Sequence, residues 1–207
     1  YNYSYEGFVD WMSQFIENTD LKNITLFCQD WGGLIGLRLA AKYSDRFEKI
    51  VAANTGLPTG KAPLSEGFAV FREFLQIKPD LHVAGQVRNG TTKGIDENAL
   101  AAYNAPFPDD DHKQGVRQFP NLVPGTPRTP SAEPNKEAWK ILREWEKPFL
   151  CAFSDKDPIF SGVENSFYKL IPGCKDMPHV TIENAGHFLQ EDQPNACVEA
   201  ILSIKDI

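Results

Sequence analysis

The chain of 207 residues is 42% apolar and carries 14 Phe, 4 Trp and 6 Tyr, enough core material to exclude a disordered chain. Its 21 Lys and Arg stand against 28 Asp and Glu, a net charge of −7 with neutral histidines, and no basic cluster breaks that balance, so nucleic acid is not an expected partner. No window approaches the roughly eighteen unbroken apolar residues of a membrane span, and no membrane association is expected.

Phe8, Val9, Trp11, Met12, Phe15 and Ile16 recur at helical spacing, and Ser4 is placed to cap that helix. Residues 24–28 read as a strand, and an alanine- and leucine-rich helix follows over 34–43. Residues 49–54 read as a second strand. Strand, turn, helix and strand in that order make one βαβ unit, which implies a parallel pair with a right-handed crossover. The pattern changes after Leu57. Residues 64–77 and 96–104 are helix candidates with little β pattern around them. Seven of the 15 prolines (Pro106, Pro108, Pro120, Pro124, Pro127, Pro130 and Pro134) fall between Ala105 and Asn135, a stretch expected to hold neither regular helix nor central strand. Phe68, Phe71, Phe74, Phe107 and Phe119 favour a packed insertion here over a flexible linker. The α/β alternation resumes at Asn135, with a helix to about residue 146, a strand over 149–153, a helix over 162–170 and a strand over 179–183. A last helix runs from Pro194 to the chain end. The expected fold is α/β, a mostly parallel sheet in two halves (1–57 and 135–207) interrupted by a helical cap with a Pro-rich return (58–134).

Cys28, Cys151, Cys174 and Cys197 are far apart in sequence, with no CxxC pair and no histidine at zinc spacing. They read as buried free thiols, and no metal site is expected.

Three loops follow the carboxyl ends of strands, where ligands bind in open α/β sheets. The first, Cys28-Gln-Asp-Trp-Gly32, has the form small–x–acid–x–small between strand and helix. That is a nucleophile elbow with Asp where hydrolases usually place Ser. The amides at the start of the next helix favour an ionised Asp30. On this loop alone, Asp30 serves equally well as a simple N-cap, and both readings stand. The other loops are Phe153-Ser-Asp-Lys-Asp-Pro158 and Asn184-Ala-Gly-His-Phe188. Nucleophile, acid and histidine on successive strand ends follow the chain order of the α/β-hydrolase triad, which favours Asp30, Asp157 and His187 acting together. Asp157 is the preferred acid and Asp155 the fallback. His82, His112 and His179 show no partner pattern and read as surface or packing residues.

The segments Gln29-Asp-Trp-Gly-Gly-Leu-Ile-Gly36, Ala53-Asn-Thr-Gly-Leu-Pro58, Ala102-Tyr-Asn-Ala-Pro-Phe-Pro-Asp109, Gly115-Val-Arg-Gln-Phe-Pro120 and Ala185-Gly-His-Phe-Leu-Gln-Glu191 resemble the haloalkane dehalogenases of the α/β-hydrolase superfamily. The resemblance extends over essentially the whole chain, cap included. Asn54 rather than a carboxylate follows the earlier strand, which resembles the first subfamily. The resemblance implies that Asp30 displaces a halide from carbon to give an alkyl ester, and that Trp31 donates to the halide. His187 then activates water, and Asp157 orients His187. The partners implied are a small haloalkane, water and a halide ion, with neither a metal nor an organic cofactor. Phe68, Phe71 and Phe107 are the implied pocket walls. A cytoplasmic, bacterial-type setting is implied, with the question of a leader open because the chain starts at Tyr1. Oligomeric state carries no sequence signal.

Two departures stand out. Phe71 occupies the position of the family's second halide donor, a Trp, and has no N–H. The family's strands before the elbow, its N-terminal third, have no counterpart in the sequence. The alternatives are an epoxide hydrolase or fluoroacetate dehalogenase, or a catalytically incomplete hydrolase-like fragment. The first two typically place His before the nucleophile, where this chain has Gln29. An epoxide hydrolase also needs phenolic donors in the cap. Tyr103 is the best candidate there, and Tyr168 lies outside it.

Overall fold

Helix α1 (Tyr5–Asn18) begins where Ser4 Oγ accepts a hydrogen bond from the Gly7 N–H at 3.1 Å. It buries Tyr5, Phe8, Val9 and Ile16, while Trp11 and Phe15 remain exposed. The computed structural model describes residues 2–204. Strand β1 (Ile24–Gln29) passes into α2 (Trp31–Lys42) through the single residue Asp30. Strand β2 (Phe47–Ala53) then lies parallel to β1, with Cys28 opposite Ala52 and Gln29 opposite Ala53.

Five α-helices separate β2 from β3: α3 (Glu66–Ile77), α4 (Val83–Asn89), α5 (Glu97–Asn104), α6 (Gln114–Leu122) and α7 (Ala132–Leu142), with a 3-10 turn at Asp111–Lys113 just before α6. Strand β3 (Phe149–Ser154) pairs with β2, and after α8 (Glu164–Leu170) strand β4 (Val180–Ile182) pairs with β3. The chain closes with α9 (Leu189–Asp192) and α10 (Pro194–Ser203). All pairings are parallel and the strand order is β1-β2-β3-β4. Every strand therefore presents its carboxyl end at the same edge, which gathers the loops after β1, β2, β3 and β4.

Strand β3 shows why the sheet is stable. Phe149, Cys151 and Phe153 point into a core with Leu37, Leu142 and Phe167, while Leu150 and Ala152 point into a second one with Leu189 and Ala200. A strand buried on both faces reads as a continuous apolar run. Burying each Leu or Phe contributes roughly 1.5–3 kcal/mol. All four cysteines are free and buried within these layers.

The structure corrects several sequence expectations. Helix α6 lies inside the Pro-rich stretch and contains Pro120. The proline costs little there, because only two residues follow before the helix ends and one backbone bond is lost. Helix α7 starts at Ala132 rather than at Asn135. That places Pro134 in its first turn, where a backbone N–H has no intrahelical partner. Helix α4 was not expected; it is short and contains Gly85, and its N-cap residue His82 makes no capping hydrogen bond. The last helix is described to Ser203, and its expected continuation over 205–207 lies outside the described residues. His179 does have partners. Its Nδ1 accepts the Cys151 N–H at 3.0 Å and its Nε2 donates to the Cys174 carbonyl at 2.8 Å, so the ring replaces a strand neighbour just before β4. His112 lies 2.6 Å from Asp109 at the surface.

The last inserted helix is tied back to the loop after β2, where the insertion starts. Trp139 Nε1 on α7 donates to the Leu57 carbonyl at 2.8 Å, and Asn135 Nδ2 donates to the Pro58 carbonyl at 2.7 Å. Arg117 on α6 donates to the carbonyls of Leu75, Lys78 and Pro79, so it caps the end of α3 with a positive charge. Gly67 on α3 packs directly over the loop after β3, where an added Cβ would come within 2.8 Å of the Pro158 carbonyl oxygen.

Candidate active site

Asp30 adopts φ 47°, ψ −123°, a strained backbone for a residue with a side chain. Hydrogen bonds hold it there. Its N–H donates to the Asn54 carbonyl at 3.0 Å, and its own carbonyl accepts from Gly33 N at 2.9 Å, Leu34 N at 3.2 Å and Thr55 Oγ1 at 2.7 Å. The helix is thus started by the Asp30 backbone. Among the described residues its carboxylate makes no capping bond, which removes the simple N-cap reading. The tight glycine of the elbow is Gly33. A Cβ there would sit 1.9 Å from Thr55 Oγ1, whereas nothing lies within 4 Å of one at Gly32.

The freed carboxylate meets His187. Asp30 Oδ1 is 3.5 Å from His187 Nε2, and His187 Nδ1 is 3.0 Å from Asp157 Oδ2. Asp157 is 2% exposed, and its other oxygen accepts the Ile159 N–H at 2.8 Å. Asp155 faces elsewhere: it is exposed, and its Oδ1 accepts the Ala185 N–H at 3.1 Å. Phe160 stacks parallel to the imidazole at 5.9 Å, and Phe188 meets its edge at 4.9 Å.

Electrostatics couple the two charged partners of the ring. Burial disfavours the His187 cation, but the Asp157 hydrogen bond and the charge of Asp30 outweigh it and raise the His187 pKa. The net direction for Asp30 is also upward, against the expectation that helix amides dominate. Burial is the main cause; His187 and the Trp31 backbone N–H pull the other way. The Asp30 side chain is nevertheless 32% exposed, because it looks into a cavity rather than into packed protein.

That cavity has a volume of about 1170 Å³ and lies between the strand ends and the inserted helices. Trp31 lines it, braced edge-on by Tyr5 at 5.0 Å and Phe119 at 4.8 Å. Phe68 and Phe71 on α3 also line it. Phe107, expected as a wall, is half-buried, lies beyond the end of α5 and stands outside the lining. Tyr103 does not face the cavity either. Its hydroxyl donates to Glu191 Oε1 at 2.6 Å, and burial pushes its pKa up to about 12.

Sequence reasoning missed three polar residues that hold this site. Gln29 Nε2 donates to the His187 carbonyl at 3.0 Å and lies 3.3 Å from His187 Nε2. Asn54, fully buried, donates to the carbonyls of Gly186 and His187 and accepts the Ser154 N–H. Asp192, 3% exposed, accepts the backbone N–H groups of Thr92, Lys93 and Gly186 at 2.8–3.0 Å. It thereby joins the loop after α4 to the histidine loop. Adjacency to the elbow pointed to Gln29, and Asn54 stood out only as the residue that follows the earlier strand.

Parallel sheet, strained elbow and cavity together define an α/β hydrolase, and the model of the α/β hydrolase fold family matches residues 1–194. A haloalkane dehalogenase of Psychrobacter cryohalolentis is 52% identical over 192 residues, covering 93% of this chain and 63% of that protein. One from Mycolicibacterium paratuberculosis is 43% identical over 202 residues, covering 98% of this chain and 67% of that protein. The solved structure of a tetrameric haloalkane dehalogenase from Paraglaciecola agarilytica superimposes with a TM-score of 0.90 at 32% identity, covering 99% of this chain and 68% of that one. The chain belongs to the haloalkane dehalogenases and spans just under two thirds of the length of the Psychrobacter relative.

Proposed function

We propose that the protein cleaves carbon–halogen bonds of small haloalkanes in two steps. The observation that carries this reading is the Asp30 carboxylate, which is free of any capping bond, faces the cavity and lies 3.5 Å from His187 Nε2. An ionised carboxylate needs no base to act as nucleophile. Asp30 attacks the carbon that bears the halogen, the C–O bond forms as the carbon–halogen bond breaks, and the halide leaves with the bonding electrons. The Trp31 indole supplies an N–H toward the departing charge in a mostly apolar enclosure, where such a donor is worth most.

The alkyl ester is then hydrolysed. His187 Nε2 takes a proton from water, which attacks the ester carbonyl. Asp157, on Nδ1, sets the tautomer and stabilises the imidazolium. Alcohol, halide and a proton are the products. Residues 58–134 act as the cap that excludes water from the first step, with Phe68 and Phe71 as walls. Tyr103 bears on the epoxide-hydrolase reading: its hydroxyl is bound to Glu191 and is not aimed at a substrate.

A halide-release assay on the whole protein, with a brominated alkane and an epoxide side by side, tests this reading. Bromide release without epoxide opening is the expected result. In His187→Phe, release should stop after about one halide per site, because the ester persists. Epoxide opening without halide release would overturn the proposal. Among the described residues no helix is long and apolar enough to cross a membrane.

A further inference from the structure

We infer that Gln29 is a positioning residue for the hydrolysis step: its single amide nitrogen clips both the backbone carbonyl and the ring Nε2 of His187, and so keeps that ring nitrogen an acceptor beside the nucleophile. This rests on the reading above for its role in turnover, though not for its effect on the ring.

The orientation of the amide follows from its partner. The His187 carbonyl can only accept, so the Gln29 atom 3.0 Å from it is the nitrogen. The same nitrogen lies 3.3 Å from His187 Nε2. With one hydrogen on the carbonyl, the second is available to the ring. A donor facing Nε2 favours the neutral imidazole with its proton on Nδ1, the tautomer Asp157 also selects at 3.0 Å. An imidazolium would set N–H against N–H.

Two carboxylates pull the other way. Asp157 faces Nδ1 and Asp30 faces Nε2, and both stabilise the cation. The other charged groups nearby are turned aside: Lys156 Nζ lies on Asn184 Oδ1, Asp155 accepts from Ala185 N and Asp192 accepts from Gly186 N. Phe160 stacks on one face of the ring, and Phe188 meets it at a near-perpendicular angle. Gln29 is therefore the neutral polar side chain placed to oppose protonation at Nε2. Its 3.3 Å contact to the ring is the longer of the two, and the 3.0 Å bond keeps the backbone of His187 in place.

The test is a ring-nitrogen NMR titration of His187 in the whole protein, assigned against His187→Phe, for wild type, Gln29→Met and Gln29→Glu. Gln29→Met keeps the length and removes the donor, and its titration midpoint should rise by about half a pH unit. Gln29→Glu adds a charge, and its midpoint should rise by more than about one unit. Single-turnover kinetics on the same proteins should show ester hydrolysis slowed more than alkylation, with its acid limb moved the same way. A structural role alone would lower the amount of folded protein and leave midpoint and limb in place. An unchanged His187 midpoint in Gln29→Met overturns the inference whatever Gln29→Glu shows and even if the protein dehalogenates. Absence of an alkyl-enzyme in wild type overturns the reaction but leaves the titration result standing.

Discussion

Asp30 Oδ1 and His187 Nε2 lie 3.5 Å apart, and the charge of Asp30 is one of the reasons the His187 pKa is raised. In the proposed reaction alkylation would turn that carboxylate into a neutral ester and remove this source of cation stabilisation. On that reading His187 would compete less well for protons once the ester had formed. The expected sign follows: the His187 pKa is raised beside the Asp30 carboxylate and should be lower beside an ester. The acid limb of ester hydrolysis should fall below the resting His187 midpoint measured by NMR. Alkylation itself should fail on acidification at a higher pH than an ordinary carboxylate would allow, because burial raises the Asp30 pKa. Because the pair is coupled, both limbs are macroscopic values. A hydrolysis limb at or above the resting midpoint would contradict this coupling.

Asp157 and Asp155 should separate cleanly. Of these two, only Asp157 reaches the ring, and Asp155 instead holds the Ala185 N–H. Asp157→Asn should slow ester hydrolysis by up to about 10⁴-fold through the wrong tautomer. Asp155→Asn should leave that step within a few-fold of wild type, about 1 kcal/mol at most. Rapid-quench measurement of the alkyl-enzyme decides between them.

Halide stabilisation should rest unevenly on Trp31. Phe71 lines the same cavity without an N–H. Trp31→Phe should raise the alkylation barrier by about 2–4 kcal/mol, the scale for losing one such donor. Phe71→Trp should tighten bromide binding, read by quenching of tryptophan fluorescence. Unchanged bromide affinity with activity retained would place another donor in the cap.

Much of this site follows from local pattern. The elbow residues, the acid before Pro158 and the histidine after Gly186 each sit in a loop that follows a strand, and the parallel sheet brings those loops together. What holds the three residues in register is not local. Gln29 and Asn54 reach the histidine loop from more than 130 positions away, and Asp192 reaches Thr92 across 100 positions. Hydrogen bonds between loops leave no periodicity. Helix α6 was hidden for another reason: prolines near a helix end look like breakers, although the bond they remove is one of the last.

Asp192 supports a stability prediction. Burial disfavours its charge, but the N–H groups of Gly186, Thr92 and Lys93 outweigh that and lower its pKa. Asp192→Asn leaves several buried donors poorly matched and should cost about 2–4 kcal/mol. A depressed carboxylate stabilises the fold above its unfolded pKa and loses that contribution as pH falls through the folded one. The difference between wild type and variant should therefore be full above about pH 4 and shrink below it. Urea unfolding at several pH values measures this, and amide exchange should rise at Thr92, Lys93 and Gly186 together.

The most direct test of the central claim, that Asp30 is alkylated, is a single turnover in heavy-oxygen water followed by mass analysis of the peptide that contains Asp30. Water that attacks the ester carbonyl leaves its oxygen in the carboxylate, so the account predicts one labelled oxygen on Asp30 and an unlabelled alcohol. Label found in the alcohol on that first turnover, with an unlabelled Asp30, would mean that water displaces the halide directly and would contradict the account.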